Sequence, residues 1–298
     1  MRPRTNSAAD RISSPGLVSQ SHRQTKNADS LSCDSQSAGL QAAYRTIAKD
    51  PKYKHFINIP DRIIRCIDYF EIDGDREAIK ARLQSFYLFI GVVDDAIDSG
   101  QIATGARVLN YLDGGTPKFD EGSRTSNIEL VTEILKRQIS GDDYWLIVEK
   151  FRSLYQEVLR ERAATSIEHY IDRRQLVGSL TAELSYLLIS PLLKKDSEAL
   201  RYLMKDVGAV GCLVDSLIDL DSDYRLGLLV FKPTLRCYAK LLSRTVQLGL
   251  SLSLKHPRLC LLFLQAIFDN IRDRISRNQP HVEACLSSEG KEQAASVA

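Results

Sequence analysis

The sequence predicts an all-α protein, a compact bundle of helices that forms one domain. Apolar residues recur three and four positions apart over most of the chain, which is the period of a helix with one buried face. Residues Ile79, Leu83, Phe86, Ile90 and Val93 show this period. Alternating strand patterns are nearly absent. No internal repeat and no sustained heptad is found, so a solenoid and a coiled coil are disfavoured.

The helical period and its interruptions place the elements in order. We expect helices at residues 39–49, 59–71, 75–99, 102–112, 126–139, 142–163, 166–190, 196–222, 232–254 and 257–277. Glycine and proline mark turns at Asp73-Gly74, Asp113 to Pro117, Gly141 and His256-Pro257. Residues 1–40 contain nine serines and almost no large apolar residue, which predicts a disordered tail. Residues 281–298 predict a second flexible tail, so the domain spans 41–280.

The composition excludes several classes of function. The 298 residues include 40 Lys and Arg against 38 Asp and Glu, a net charge of +2. This balance gives no basis for binding nucleic acid or an anionic membrane surface. The longest apolar stretches have about ten residues, against the roughly 20 that a membrane span needs, so no stable membrane insertion is expected. The six cysteines form no CxxC pair, which is typical of reduced thiols in a cytoplasmic protein.

Three carboxylates interrupt the end of a strongly apolar predicted helix. We call Asp94, Asp95 and Asp98 the first aspartate cluster. With about 3.6 residues per turn, Asp94 and Asp98 lie one above the other, so like charges crowd on one side of the helix. Mg²⁺ relieves such repulsion, because it binds carboxylate oxygens and keeps open positions for substrate phosphates. The cluster predicts half of a diphosphate site, and the alternative is a solvated helix end.

A second set of acids follows at intervals of four residues. We call Asp215, Asp219 and Asp223 the second aspartate cluster. This spacing places the three carboxylates in one stripe on a helix face. Apolar neighbours such as Leu213 and Leu217 indicate that the stripe faces an enclosed cavity. The alternative is an amphipathic helix whose solvated face is acidic.

Basic residues occur at two places that suit a diphosphate. Arg173 and Arg174 precede Gly178 in a segment that otherwise favours a helix. A glycine inside a helix costs about 1 kcal/mol relative to alanine, so Gly178 indicates either a close ligand or tight helix packing. The planar fork of an arginine matches phosphate oxygens. Arg225 and Lys232 flank the second cluster and are predicted to cover the diphosphate as the following loop closes.

Taken together, these motifs resemble the class I terpenoid synthase superfamily, an all-α fold with two metal-binding motifs facing each other across a central apolar cavity. The first cluster resembles the DDxxD motif, and the second falls on the ligand positions of the second motif. Arg174 is placed like the family's diphosphate-sensing arginine, with Val177 and Gly178 at its linker and effector positions. The sequence leaves open whether Arg173 or Arg174 is the sensor. The resemblance covers residues 41–280.

The resemblance implies a sesquiterpene synthase, similar to the divergent fungal cyclases that make humulene-type hydrocarbons. It would ionise farnesyl diphosphate with three Mg²⁺ ions held by both clusters, close a ring and release diphosphate. Arg174, Gly178, Asp94 and Asp95 would be the catalytic residues. Aromatic and apolar side chains near the motifs would line the cavity and stabilise the cation: Phe86, Tyr87, Phe89, Val177 and Tyr186.

Two other classes of function stay open. Aspartate at all three positions of the second cluster is similar to the element of squalene and phytoene synthases, which join two prenyl diphosphates head to head. A helical binding module without catalysis is the other alternative. For the enzymes the expected partner is a small molecule, a prenyl diphosphate. The sequence leaves a monomer and a homodimer equally open.

Overall fold

The computed structural model describes residues 41–115, 123–139 and 141–261, together with 264, 265 and 268. Helix dominates these residues, and within these ranges there is no strand beyond one isolated bridge between Gly74 and Leu193. The all-α prediction is therefore confirmed for this part of the chain. The contacts within the chain divide it between Ala43 and Tyr44, and the long helices all belong to the unit that begins at Tyr44. Both predicted tails lie outside the described residues.

The helices have bounds close to those expected from the sequence. Residues 41–48 are helical. The longer helices are α1 Lys54–Tyr69, α2 Arg76–Asp98, α3 Thr104–Leu112, α4 Ser123–Gln138, α5 Tyr144–Arg162, α6 Ile167–Ile189, α7 Glu198–Arg225 and α8 Leu235–Lys255. The predicted start of the second helix at residue 59 is wrong by five residues. Asp50 caps a short turn at Pro51–Tyr53 that leads directly into α1, and Pro60 lies inside the helix rather than in its first turn.

Side-chain caps fix where the helices that carry the acidic and basic motifs begin. Asp75 accepts a hydrogen bond from the backbone N–H of Ala78 at the start of α2. Ser166, Ser197 and Thr234 do the same for α6, α7 and α8. Each cap satisfies an N–H group that has no partner within the helix. The four caps therefore stabilise the first turns of α2, α6, α7 and α8.

Helices α6 and α7 cross with their backbones in close approach. A Cβ added to Gly178 would lie 2.2 Å from the carbonyl oxygen of Gly208, and one added to Gly208 would lie 2.4 Å from the carbonyl oxygen of Gly178. Side chains cannot fit at either position without moving a helix. Helix packing is therefore a sufficient reason for glycine at 178, and it brings Arg174 close to the part of α7 that carries the second cluster.

This crossing predicts a stability effect. Gly178→Ala is expected to lower the free energy of unfolding by about 1–3 kcal/mol, because the new methyl group overpacks two backbones. Gly211→Ala is the matched control, since a Cβ there meets nothing within 4 Å. It is expected to be neutral or stabilising by up to about 1 kcal/mol. Urea unfolding of the two variants tests this, and equal changes in stability would refute the packing explanation.

The buried residues form two apolar clusters. The larger lies among α1 to α6, the first half of α7 and the end of α8. The smaller joins α6, α7 and α8 around Tyr170, Leu213 and Leu241. None of the helices in the described ranges is long and apolar enough to span a membrane. Over the same ranges the cysteines are free thiols, namely Cys66, Cys212, Cys237 and Cys260.

Candidate functional site

The two aspartate clusters meet where α2 and α7 both end. The pKa of Asp94 is raised to about 6 by burial and by the negative charges of Asp98 and Asp215, against the opposing effect of Arg174 and Arg162. The pKa of Asp98 is also raised, by burial and by Asp223. Carboxylates influence one another in this way only over short distances. The structure therefore brings together two motifs that lie more than a hundred residues apart in the sequence.

Asp94 lies in the last turn of α2. Its side chain is exposed to solvent, yet surrounding protein disfavours its charged form enough to raise the carboxyl pKa to about 6. Both observations hold for a group in a cleft, which water reaches from one side only. The half-buried Asp223 is similar, since burial, Glu161 and Asp94 raise its pKa to about 6 although Arg174 acts in the opposite direction.

The second cluster lies on a single helix as predicted. Helix α7 continues to Arg225, three residues beyond the predicted end, so Asp215, Asp219 and Asp223 share one uninterrupted stripe. Asp215 and Asp219 are half-buried. The charge of Asp215 acts on Asp94 and on Arg174. The stripe therefore faces the end of α2.

Arg174 lies among these acids and makes three hydrogen bonds. Its Nε donates to Ser216 Oγ at 3.0 Å and to the carbonyl oxygen of Cys212 at 3.4 Å, and its Nη1 donates to Glu161 Oε1 at 3.1 Å. Ser216 in turn accepts a hydrogen bond from the hydroxyl of Tyr170 at 3.0 Å. The pKa of Arg174 is raised well above its usual value, because the effect of Glu161 and other negative groups outweighs that of burial. The guanidinium is therefore a fixed positive charge in the cleft.

Glu161 is the main residue of this site that the sequence analysis missed. It lies in the last turn of α5, its side chain is 12% exposed, and its Oε2 is buried without a hydrogen-bond partner. Burial and the charge of Asp94 raise its carboxyl pKa, although Arg174 opposes this. A signal did exist, because Ile147, Phe151, Leu154 and Val158 form an apolar stripe whose next position is Glu161. An acid at the end of an apolar stripe indicates a buried partner.

Arg162 supplies a second positive charge near the first cluster. Its Nη1 donates to the carbonyl oxygen of Ile97 at 3.2 Å and lies 3.6 Å from Asp98 Oδ1. The same charge lowers the pKa of Asp94 and of Asp223. The end of α5 therefore contributes one acidic residue, Glu161, and one basic residue, Arg162, to the cleft between α2 and α7.

Asp95 is held apart from the other two members of its cluster. Its Oδ2 lies 3.0 Å from Lys52 Nζ and accepts a weaker hydrogen bond from Tyr53 at 3.4 Å. Both partners belong to the turn before α1. Asp94 and Asp98 form one side of the helix end, and Asp95 points to another.

The other three basic residues of the prediction have different surroundings. Arg173 pairs with Glu157 at 3.0 Å, one helical turn before Glu161. Arg225 pairs with Asp221 and its side chain is 76% exposed, while Lys232 is exposed. Of the two neighbouring arginines, it is Arg174 that the structure places among the aspartates.

The predicted cavity residues are buried in the larger apolar cluster. Phe86 and Phe89 both pack on Phe151, with ring centroids 6.0 and 5.5 Å apart, and Val177 is buried with them. Tyr87 accepts a hydrogen bond from Ser185 at 2.9 Å, and burial raises its pKa to about 12.

Tyr186 lies away from the acids. Its hydroxyl bonds to Asp196 and accepts from the N–H of Ser197 just before α7. It is twelve residues beyond Arg174, about 18 Å along α6. The described residues also form a half-open cleft of about 290 Å³ between α6, α7 and α8, and its lining includes none of the aspartates of either cluster.

The carboxylates of the two clusters are ligands that a hard divalent cation prefers, but they do not converge on a single metal position. Mg²⁺ prefers carboxylate oxygens, and the raised pKa values of Asp94, Asp98 and Asp223 mark a place where a cation would relieve repulsion. Across the ranges that the structure describes, no three His, Cys, Asp or Glu side chains converge closely enough to hold a metal ion. The chemistry of the donor set therefore fits the metal, although the described side chains do not form a completed three-ligand site.

These pKa values predict how the metal-free protein responds to pH. Asp94 and Asp223 bind a proton more tightly in the folded protein, at a pKa of about 6, than at their ordinary value of 3.8. Their contribution to stability is complete below pH 4 and is lost as the pH rises through about 6. Asp94→Asn is therefore expected to reduce this loss. The difference is at most about 1 kcal/mol, since solvent screens an exposed carboxylate.

Urea unfolding in a chelating buffer between pH 4 and 7.5 measures this effect. Asp206→Asn is the control, because Asp206 pairs with Lys255 at 3.2 Å outside the site. An Asp94→Asn variant with the same pH profile as wild type would contradict the assignment of Asp94 to a crowded acidic cleft.

Comparison with known proteins adds no relative. No protein-family model, no curated protein and no solved structure matches this chain.

Proposed function

We propose that the protein is a class I terpene synthase that ionises a prenyl diphosphate, with farnesyl diphosphate as substrate and a humulene-type hydrocarbon as product. One observation carries the proposal. Acids from the ends of α2 and α7 lie within electrostatic reach of one another and of Arg174. Such a site has carboxylates for metal ions on two sides and a guanidinium for phosphate oxygens. The resemblance of both motifs to those of the superfamily supports the same conclusion.

The residues of this chain have separate roles in that reaction. Asp94, Asp98, Asp215, Asp219 and Asp223 would hold Mg²⁺, and bound Mg²⁺ would neutralise the charge of the departing diphosphate. Arg174 donates hydrogen bonds to the same oxygens as charge develops on them. Asp95 joins the metal ligands only if its ion pair with Lys52 opens.

The allylic cation that forms when diphosphate leaves must be shielded from water. The buried aromatic residues Phe86, Tyr87 and Phe89 precede the first cluster on α2 and are the side chains that would stabilise an allylic cation. Proton loss from the final cation needs only a weak base, and the released diphosphate is one. We place the reaction in the cytoplasm, and a monomer or a homodimer serves it equally well.

Binding of inorganic diphosphate tests the proposal without turnover. Diphosphate and Mg²⁺ together should raise the Tm of the wild-type protein, and either one alone should have little effect, because each completes the site for the other. Asp223→Asn should lose most of the shift. Asp221→Asn is the matched control, since Asp221 pairs with Arg225 on the exposed side of the same helix. Absence of any joint shift in wild type would refute the proposed site.

A head-to-head prenyltransferase is the second candidate, favoured by aspartate at all three positions of the second cluster. Such an enzyme would convert two farnesyl diphosphates to a linear C30 product. Product mass therefore separates the two enzymes, and a binding module would give no product.

A further inference from the structure

Glu161 contacts Arg174 but belongs to neither aspartate cluster. Glu161 comes from α5, which carries neither of them. Its Oε1 accepts from Arg174 Nη1 at 3.1 Å, while Arg174 Nε is held by Ser216 from α7. The guanidinium is therefore fixed at two of its three nitrogens by groups from two different helices. Nη2 takes part in none of these bonds.

Resting on the proposed function, we infer that Glu161 is a positioning residue that fixes the plane of the Arg174 guanidinium for the diphosphate. An arginine side chain has several rotatable bonds, and a fork that must be ordered on binding loses affinity and rate. Two bonds at Nε and Nη1 set the plane of the fork before the ligand arrives. Glu161 then acts through Arg174 and does not itself contact the substrate.

The chain contains a matched control for this role. Glu157 lies one turn earlier on α5 and pairs with Arg173 at 3.0 Å, as Glu161 pairs with Arg174 at 3.1 Å. The two glutamates are nearly equally buried, with side chains 11% and 12% exposed. Glu157 also pairs with Arg160, and of the two arginines only Arg174 lies among the aspartates.

Two substitutions separate positioning from charge. Glu161→Gln keeps the length of the side chain and an oxygen that can accept from Nη1, but it removes the charge. Glu161→Asp keeps the charge and withdraws the carboxylate by one methylene. If Glu161 positions the fork, Glu161→Asp is expected to lower kcat/KM about tenfold, which corresponds to about 1.4 kcal/mol. Glu161→Gln is expected to stay within about threefold of wild type.

The experiment compares these variants with Glu157→Asp and Glu157→Gln, which should both stay within about twofold of wild type. Titration calorimetry with inorganic diphosphate and Mg²⁺ gives a second readout, in which Glu161→Asp should bind about tenfold more weakly. Urea unfolding checks that the variants fold. If Glu161→Gln is as impaired as Glu161→Asp, or more so, the positioning role is wrong. If wild type itself neither binds diphosphate nor turns over, the proposed function falls as well.

Discussion

Asp94→Asn is expected to reduce turnover of the prenyl diphosphate at least about 1000-fold while leaving the helical fold intact. Asparagine has the shape of aspartate but lacks the charge that attracts a hard cation. Asp94 is the member of the first cluster on which the charges of Asp98, Asp215, Arg174 and Arg162 all act. Loss of one carboxylate there therefore weakens the joint site of both helices, and removes transition-state stabilisation at the leaving group.

The neighbouring aspartate provides the comparison. Asp95 is paired with Lys52, so Asp95→Asn is expected to cost at most about tenfold in kcat/KM. Rates are measured from released diphosphate under saturating Mg²⁺, with circular dichroism and Tm as checks on folding. A folded Asp94→Asn variant that keeps a tenth or more of wild-type turnover would show that Asp94 is not a metal ligand.

Arg174→Lys should lower kcat/KM about 100-fold, about 2.7 kcal/mol of transition-state stabilisation. Lysine keeps the positive charge but has no planar fork, so it cannot bond Ser216 and Glu161 and still present a donor to phosphate in the same geometry. The three hydrogen bonds of Arg174 to these residues and to Cys212 define that geometry.

Arg173→Lys is the matched variant, because Arg173 is the adjacent arginine and pairs with Glu157 instead. We expect it to change kcat/KM by less than about threefold. Comparison of the two variants also determines which arginine senses the diphosphate, a question that the sequence leaves open. Equal losses in the two variants, or a larger loss for Arg173→Lys, would contradict the placement of Arg174 in the site.

The sequence predicts the helices well, because their boundaries depend on local signals. Apolar period, caps and turn residues place most boundaries within three residues of those observed. Pro60 is the instructive exception. Proline is favoured in the first turn of a helix, but the capped turn at Asp50 extends α1 five residues before the predicted start.

The site could be predicted only where its residues follow one another on the same helix. The stripe of Asp215, Asp219 and Asp223 needs nothing beyond the helical period. Glu161 was missed because its partner, Arg174, lies on another helix, and the sequence does not show which helices meet. Tyr186 shows the reverse. The sequence places it on the correct helix but does not show that its hydroxyl bonds to Asp196, away from the aspartate clusters.

The most direct test of the proposed function is incubation of the purified protein with farnesyl diphosphate, with and without Mg²⁺. Gas chromatography with mass detection then identifies any hydrocarbon in the extract and headspace. The proposal predicts a C15 hydrocarbon that requires Mg²⁺ and disappears in Asp94→Asn. Geranyl and geranylgeranyl diphosphate are tested in parallel to cover other chain lengths. A folded protein that forms no product from any of the three substrates with Mg²⁺ present would contradict the assignment as a terpene synthase.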